Sequence, residues 1–174
     1  MTGTTKKLQL LLNRTDIPVS IINEVVAQAT LEFHPEILQT LGTDSRLTPE
    51  VRCAAFAKAI NKRNLHAARA LFQENQISSQ EVTRAFVRAA CAGDLRLVKF
   101  LQGKPAIDVS AEQDAVLAAA RANRDKVTRH LLKRRERSIE TLQEALSATR
   151  NESLQMFLRA CIAQRQDGSS RAER

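Results

Sequence analysis

Residues 85–101 read AFVRAACAGDLRLVKFL, and residues 115–132 repeat the pattern as AVLAAARANRDKVTRHLL. The second stretch follows the first at an offset of 30 in residue number, and this offset, which we call the repeat period, extends in both directions along the chain. One column of alanines and one of leucines mark it: Ala29, Ala59, Ala89 and Ala119, and Leu41, Leu71, Leu101 and Leu131. A period of about 20 to 50 residues is typical of units that must stack, because none can bury its apolar face alone.

Each unit predicts two short amphipathic helices. Phe86 lies three residues before Ala89, and Leu97 lies four residues before Leu101. Spacings of three and four place both pairs on one face of a helix. The equivalent positions of the other units are apolar too: Val26, Phe56, Val116, Ile37, Ala67 and Val127. The first helix of each unit is rich in alanine, so neighbouring helices can approach closely.

Helix boundaries recur with nearly the same period. Residues that favour the N-cap precede the first helix of each unit: Ser20, Thr48, Ser78, Ser110 and Ser138. Ser110 is followed three residues later by Gln113, which predicts a capping box. Gly93 and Asn123 occupy the turn between the two helices, where a left-handed residue ends the first one. Arg63 fills that place in the second unit, so the sequence predicts the turn less clearly there.

The stretch 85–101 resembles the two-helix core of an ankyrin repeat. Ala89 and Ala90 match the paired alanines of that family, Gly93 matches its inter-helix glycine, and Leu97 and Leu101 match its second helix. The Thr-Pro-Leu-His opening of the family is replaced by Arg-Ala-Phe-Val, and the period is 30 where 33 is usual. The resemblance, which covers residues 20–164, therefore implies repeats with shortened hairpins.

The predicted fold class is all-α, an α-solenoid of about four to five ankyrin-like helix-turn-helix repeats. A generic solenoid of helical hairpins is the structural alternative. The repeats are expected to start near residues 20, 48, 78, 110 and 138, within a single domain that spans residues 1–164. Residues 5–13 are interpreted as a half-repeat cap. The polar residues 165–174 are interpreted as a disordered tail.

Catalytic and metal-binding patterns are missing from the sequence. The three histidines have no i, i+4 spacing of a helical metal site, and the five glycines form no phosphate loop. The three cysteines, Cys53, Cys91 and Cys161, are predicted to be reduced, buried thiols. We therefore expect a protein that is not an enzyme, holds no metal or cofactor, and works in the reducing cytoplasm. Delivery into a host cell as an effector stays open.

Basic residues account for the net charge of +8, and two sets of them follow the repeat. The first-helix set borders the concave side that ankyrin-like arrays commonly use, and it is the preferred partner-binding set: Lys58, Lys62, Arg84, Arg88, Arg121 and Arg124. The second-helix set is the alternative: Arg69, Arg96, Lys99, Lys126 and Arg129. A cluster of basic residues at 133–137 is interpreted as solvated surface. The second-helix set can likewise be interpreted as a solvated face that has no binding role.

Two functions fit this pattern. The preferred hypothesis is a protein-interaction scaffold that binds an acidic protein or peptide on its repeat surface. The alternative is binding of nucleic acid or another polyanion through the basic columns, which a pI near 10.0 favours. The chain has no Trp or Tyr, and this argues against stacking of single-stranded bases. No apolar run approaches the length of a membrane span.

Overall fold

The computed structural model describes residues 17–31, 35–42, 44, 46–73, 76–134 and 138–172. Over these residues the chain is helical with connecting turns, and none of them forms a strand. The predicted all-α class is confirmed. The helices of this described part, α1 to α10 in chain order, are Val19–Leu31, Pro35–Gly42, Pro49–Asn61, Leu65–Leu71, Ser79–Ala92, Leu95–Gln102, Val109–Arg121, Asp125–Arg134, Ile139–Ala148 and Glu152–Ala172.

The helices fall into two compact units, residues 1–82 and residues 83–174, and the boundary lies within α5. In the first unit, α1 packs against α2 and α3, and α4 packs against the same two helices. In the second unit, α8 packs against α6, α7 and α10, and α9 packs against α7 and α10. Each of these partners is a neighbour or a next-but-one neighbour along the chain, so the helix contacts are local in sequence.

The two apolar columns form the core. The four alanines and the four leucines that mark the repeat period are all buried, as are Val26, Phe56, Phe86 and Val116. One predicted core position differs, because Ile37 is only half-buried while the adjacent Leu38 is fully buried. The residues equivalent to Leu38 are buried as well, at Ala68, Val98 and Thr128. The second helices of the later units therefore bury two adjacent columns instead of one.

The N-caps obey the period more strictly than the sequence suggested. The Asp108 carboxylate accepts the Ala111 N–H at 2.7 Å, so α7 begins at Val109 and Ser110 is not its cap. Asp108 lies one repeat period after Ser78 and one before Ser138, whose hydroxyls accept the N–H groups of Glu81 and Thr141. Helix α1 likewise starts before the predicted cap Ser20. The Pro18 carbonyl, one repeat period before Thr48, accepts its first N–H groups.

Three inter-helix turns have the same backbone. Arg63, Gly93 and Asn123 all adopt positive φ, at 57°, 78° and 55°. In each turn the next residue donates its N–H to the carbonyl of the repeat alanine, over 2.8–3.0 Å. These bonds satisfy carbonyls that the end of the first helix leaves without a partner. The turn at Arg63, which the sequence predicted less clearly, thus matches the other two.

The connection after α6 is short. Lys104 and Ile107 donate their N–H groups to the carbonyls of Leu101 and Lys104, and α7 follows directly. At the C-terminal side, α10 continues to Ala172, where the sequence predicted a disordered tail from residue 165. No proline interrupts this stretch, and the single Gly168 costs a helix only about 1 kcal/mol. The predicted cap at residues 5–13 lies outside the described residues.

Candidate interaction surface

The first-helix set is distributed over both units. Lys58 and Lys62 lie on α3 and at its end, in the first unit, with Lys58 half-buried. Arg84 and Arg88 are exposed one turn apart on α5, in the second unit, and both make further contacts. The preferred partner-binding residues are therefore divided between two separately packed units.

The other two members of the first-helix set have partners within the second unit. Arg121 forms an ion pair with Glu144 on α9, with 3.1 Å between Nη2 and Oε1. Arg124 donates from Nε to the Cys91 carbonyl at 3.0 Å. Glu140, exposed on α9 as well, has its pKa lowered by hydrogen bonds from its own backbone N–H and from Ser138. On α9, the first helix of the last repeat, the exposed side therefore carries glutamates where the earlier first helices carry basic residues.

The second helices of this unit are different. Helix α8 packs between α6 and α10, so the exposed sides of these three helices adjoin. We call their exposed basic residues the cationic face: Arg96, Lys99, Lys126, Lys133 and Arg159. Within the described part of the chain, none of these five side chains forms an ion pair or hydrogen bond. Arg96, Lys99 and Lys126 belong to the predicted second-helix set. Lys133 and Arg159 were not among the predicted binding residues.

Acidic residues scarcely balance the cationic face. Helix α6 carries no acidic residue, and the only one on α8 is Asp125, which is bound by Arg129 at 2.7 Å. Among the α10 side chains that the structure describes, the exposed carboxylate is Glu152, at the N-terminal end, where the helix dipole favours it. A row of exposed cations with so little opposite charge attracts an anionic partner, and this attraction weakens as salt rises.

Arg129 has a structural role. Besides Asp125, its guanidinium donates to the backbone carbonyl and hydroxyl of Ser153, at 2.9 and 3.0 Å, and lies 4.4 Å from the ring centroid of Phe157. Ser153 and Phe157 belong to α10, so the side chain joins that helix to α8. The fifth residue of the predicted second-helix set, Arg69, is exposed on α4 in the first unit and makes its own contacts.

Replacing Arg129 with glutamate is expected to lower the free energy of unfolding by about 1–3 kcal/mol. The change removes the bonds to Ser153 and the contact with Phe157, and it places a second carboxylate beside Asp125. The matched control is Lys126→Glu on the same helix, which should change stability by no more than about 0.5 kcal/mol. Equal effects in urea titrations of the two variants would contradict the role of Arg129.

A buried polar cluster was not predicted from the sequence. The Gln102 amide donates from Nε2 to the Glu112 carboxylate at 3.2 Å, and its Oε1 lies 3.1 Å from His130 Nε2. Gln102 and Glu112 are both buried, and the three residues come from α6, α7 and α8. Since the Gln102 oxygen can only accept, His130 Nε2 is the donor in this contact. The cluster joins consecutive helices and offers no nucleophile to solvent.

Cysteine burial differs from the prediction. Cys91 is exposed on α5, whereas Cys53 and Cys161 are half-buried, and all three are free thiols. The Cys53 thiol is 3.7 Å from the Gln76 carbonyl. Burial raises the pKa of the Cys161 thiol, although Arg129 and Arg165 act in the opposite direction.

Alkylation of the native protein by iodoacetamide is expected to modify Cys91 first and Cys161 last. Only the thiolate attacks, and at about pH 8 a thiol with a raised pKa is less ionised. Timed quenching and peptide mass mapping give the order, and the denatured protein, in which the three rates should converge, is the control. Faster labelling of Cys161 than of Cys91 would show that the exposed side of α5 or of α10 is misassigned.

Within the described residues, no group of three or more His, Cys, Asp or Glu side chains is arranged to hold a metal ion. No helix among them is long and apolar enough to cross a bilayer. Comparison with known proteins gives no match to a family model, to a curated protein or to a solved structure.

Proposed function

We propose that this chain is a non-catalytic interaction scaffold built of stacked, ankyrin-like two-helix repeats, and that it binds an acidic protein in a reducing cytoplasm. Support for the repeat comes from features that return with every repeat period: the caps at Thr48, Ser78, Asp108 and Ser138, and the turns at Arg63, Gly93 and Asn123. In α1 to α4 and in α7 to α10, each helix packs on a neighbour and on a next-but-one neighbour, which is what a stacked array of hairpins requires.

The observation that carries the proposal is the cationic face on α6, α8 and α10. Its five cations are exposed, come from three adjacent helices and lack ion partners among the described residues. The first-helix set is a weaker candidate, because Arg121 is bound by Glu144 and because α9 adds exposed carboxylates. We therefore favour the second helices as the binding side, which the sequence had ranked second.

A protein partner is favoured over a single-stranded nucleic acid because the phenylalanine rings described here are buried or covered. Phe56 and Phe86 are buried, Phe157 is covered by the Arg129 guanidinium, and Phe100 has the Lys104 ammonium 5.0 Å from its centroid. None of these rings is free to stack on a base, which is how single strands are commonly held. Duplex nucleic acid, bound through phosphates alone, is the remaining alternative.

The test is affinity capture from a nuclease-treated lysate, with retained proteins identified by mass spectrometry and each candidate then purified and rebound. Two triple variants are compared with wild type, Arg96→Glu/Lys99→Glu/Lys126→Glu on the second helices and Lys58→Glu/Arg84→Glu/Arg88→Glu on the first. We expect an acidic protein that the second-helix variant no longer retains and the first-helix variant still does. Thermal melts of both variants confirm that the chain remains folded.

Two outcomes contradict the proposal in different ways. Loss of the partner only in the first-helix variant would move the binding side to α3 and α5. Material that is retained before nuclease treatment and disappears after it, in wild type as well, would replace the protein partner with nucleic acid. In that case, affinity for a DNA duplex should also fall steeply between about 50 and 200 mM salt.

A further inference from the structure

The exposed methionine of α10 distinguishes the cationic face from a purely electrostatic surface. Met156 is 71% exposed, and among the large apolar side chains described it is the most exposed one. The others with high exposure, Val19, Ile21 and Val109, lie near the N-terminal ends of α1 and α7 and not on the second helices of the second unit. An isolated apolar side chain is ordinary on a protein surface, so its surroundings decide whether it has a role.

The position of Met156 in the repeat gives the first argument. Lys99 on α6 and Arg129 on α8 are equivalent at an offset of 30, and the last pair of helices is shortened, so that Leu131 matches Leu158 at an offset of 27. With this shorter offset, Met156 is the member of the same column on α10. The column thus changes from cations to one large, flexible apolar side chain at the place where the cationic face reaches α10.

The neighbours of Met156 give the second argument. The Arg129 guanidinium crosses from α8 to contact Ser153 and Phe157, which are three residues before and one residue after Met156 on the helix. Arg159 lies three residues further along the same exposed side of α10. Along α10, Met156 therefore lies between Ser153, which the Arg129 guanidinium contacts, and the exposed Arg159. An apolar centre inside a polar rim is the usual arrangement of a protein interface, and methionine adapts to partners of different shape.

We propose that the cationic face binds an acidic segment of a partner protein, and that this segment contains a large apolar residue. The apolar residue packs on Met156, and carboxylates on either side of it in the segment pair with Arg159 and with the exposed lysines of α8. This inference rests on the proposed function. It adds the sequence pattern of the segment that is bound, which is a large apolar residue flanked by Asp or Glu. A single methionine is too small an apolar surface for insertion into a bilayer, which takes a whole helix face of large apolar residues. A protein segment is thus favoured over an anionic membrane.

The experiment uses two fluorescent peptides and the full chain. Both peptides are short, rich in glutamate and equal in charge, and they differ only in the central residue, which is leucine in one and alanine in the other. Binding is followed by fluorescence anisotropy. With wild type we expect the leucine peptide to bind about tenfold more tightly than the alanine peptide, because the larger side chain is removed from water.

The variant Met156→Gln, which keeps the length of the side chain, should remove the preference for leucine and leave the affinity for the alanine peptide unchanged. Met156→Leu should retain the preference. Because Met156 is exposed, both variants are expected to fold as wild type does, which a thermal melt verifies.

The failures of the two proposals are distinguishable. Equal binding of the two peptides to wild type, with loss of both in the Arg96→Glu/Lys99→Glu/Lys126→Glu variant, would overturn the role of Met156 and leave the acidic partner in place. Absence of binding by either peptide would overturn both proposals. A preference for phosphatidylserine vesicles or for a DNA duplex, with no peptide binding, would overturn them as well and identify the partner class.

Discussion

Replacing Leu101 with alanine is expected to lower the free energy of unfolding by about 2–5 kcal/mol. The side chain is fully buried on α6, and it belongs to the leucine column with Leu41, Leu71 and Leu131, all of which are buried. Truncation removes buried methyl groups and leaves a cavity that the surrounding helices fill only in part. Chemical denaturation followed by circular dichroism measures the change.

The control for this variant is Met156→Ala, a truncation of similar size at a position that is 71% exposed. It should change stability by no more than about 0.5 kcal/mol. If Leu101→Ala unfolds at the same denaturant concentration as wild type, or if Met156→Ala is the more damaging change, the assignment of inner and outer faces on the second helices is wrong.

Gly42→Ala is expected to cost about 1–3 kcal/mol through overpacking. A methyl group at Gly42 would lie 2.5 Å from the backbone carbonyl oxygen of Ala70. That distance is too short for any carbon–oxygen contact, and the obstacle is the main chain of α4 and not a side chain that can rotate away. Helix α2 would have to move off α4, and the core of the first unit would loosen with it.

Gly103→Ala is the matched control, since nothing lies within 4 Å of a methyl group built there and its φ is −84°. Alanine at such a site stabilises by up to about 1 kcal/mol, because it restricts the unfolded chain. A thermal melt that shifts downward for Gly42→Ala and stays level or rises for Gly103→Ala agrees with the packing described. A downward shift of equal size in both variants would mean that α2 and α4 are not in close contact.

The periodic core was predictable because its columns are chemically uniform. Alanine, leucine and the β-branched or aromatic residues between them recur with the repeat period, and each of these types prefers burial on a helix face. The turns were predictable for a related reason. Gly93 and Asn123 are residue types that tolerate positive φ. Arg63 is not such a type, and its turn nevertheless has the same φ and the same hydrogen bond to the repeat alanine.

One buried column escaped the sequence analysis because its chemistry changes from repeat to repeat. Its members, all buried, are Ile22, Arg52, Val82, Glu112 and Leu142. Arg52 donates from Nη1 to the Gly42 carbonyl, ten residues earlier, and Glu112 accepts from Gln102, also ten residues earlier. The same position thus holds opposite charges that reach back to the end of the preceding helix. No rule based on residue type predicts burial for both an arginine and a glutamate. The burial of Arg52 removes its guanidinium from water, and this desolvation lowers its pKa.

The sequence located the basic residues but not their partners. Arg129 and Lys99 occupy equivalent positions, yet Arg129 is bound to Asp125, Ser153 and Phe157 while Lys99 remains exposed. The Asp125 contact is local, because Asp125 lies four residues before Arg129 where Leu95 precedes Lys99. The contacts with Ser153 and Phe157 depend on which helix lies alongside, and the chain alone does not reveal that. Lys133 was interpreted as solvated surface within the cluster at residues 133–137, and Arg159 was overlooked; neither residue follows the repeat period. The cationic face is therefore a property of helix packing as much as of composition.

Acylation of lysines in the presence of the captured partner tests the central claim most directly. The chain carries reporters on both sides, Lys99, Lys126 and Lys133 on the second helices and Lys58 and Lys62 at the first. Mass spectrometry compares the labelling of each lysine in the free protein and in the complex. The account predicts that the partner protects Lys99, Lys126 and Lys133, while Lys58 and Lys62 react as in the free protein. Protection of Lys58 and Lys62 alone would contradict it.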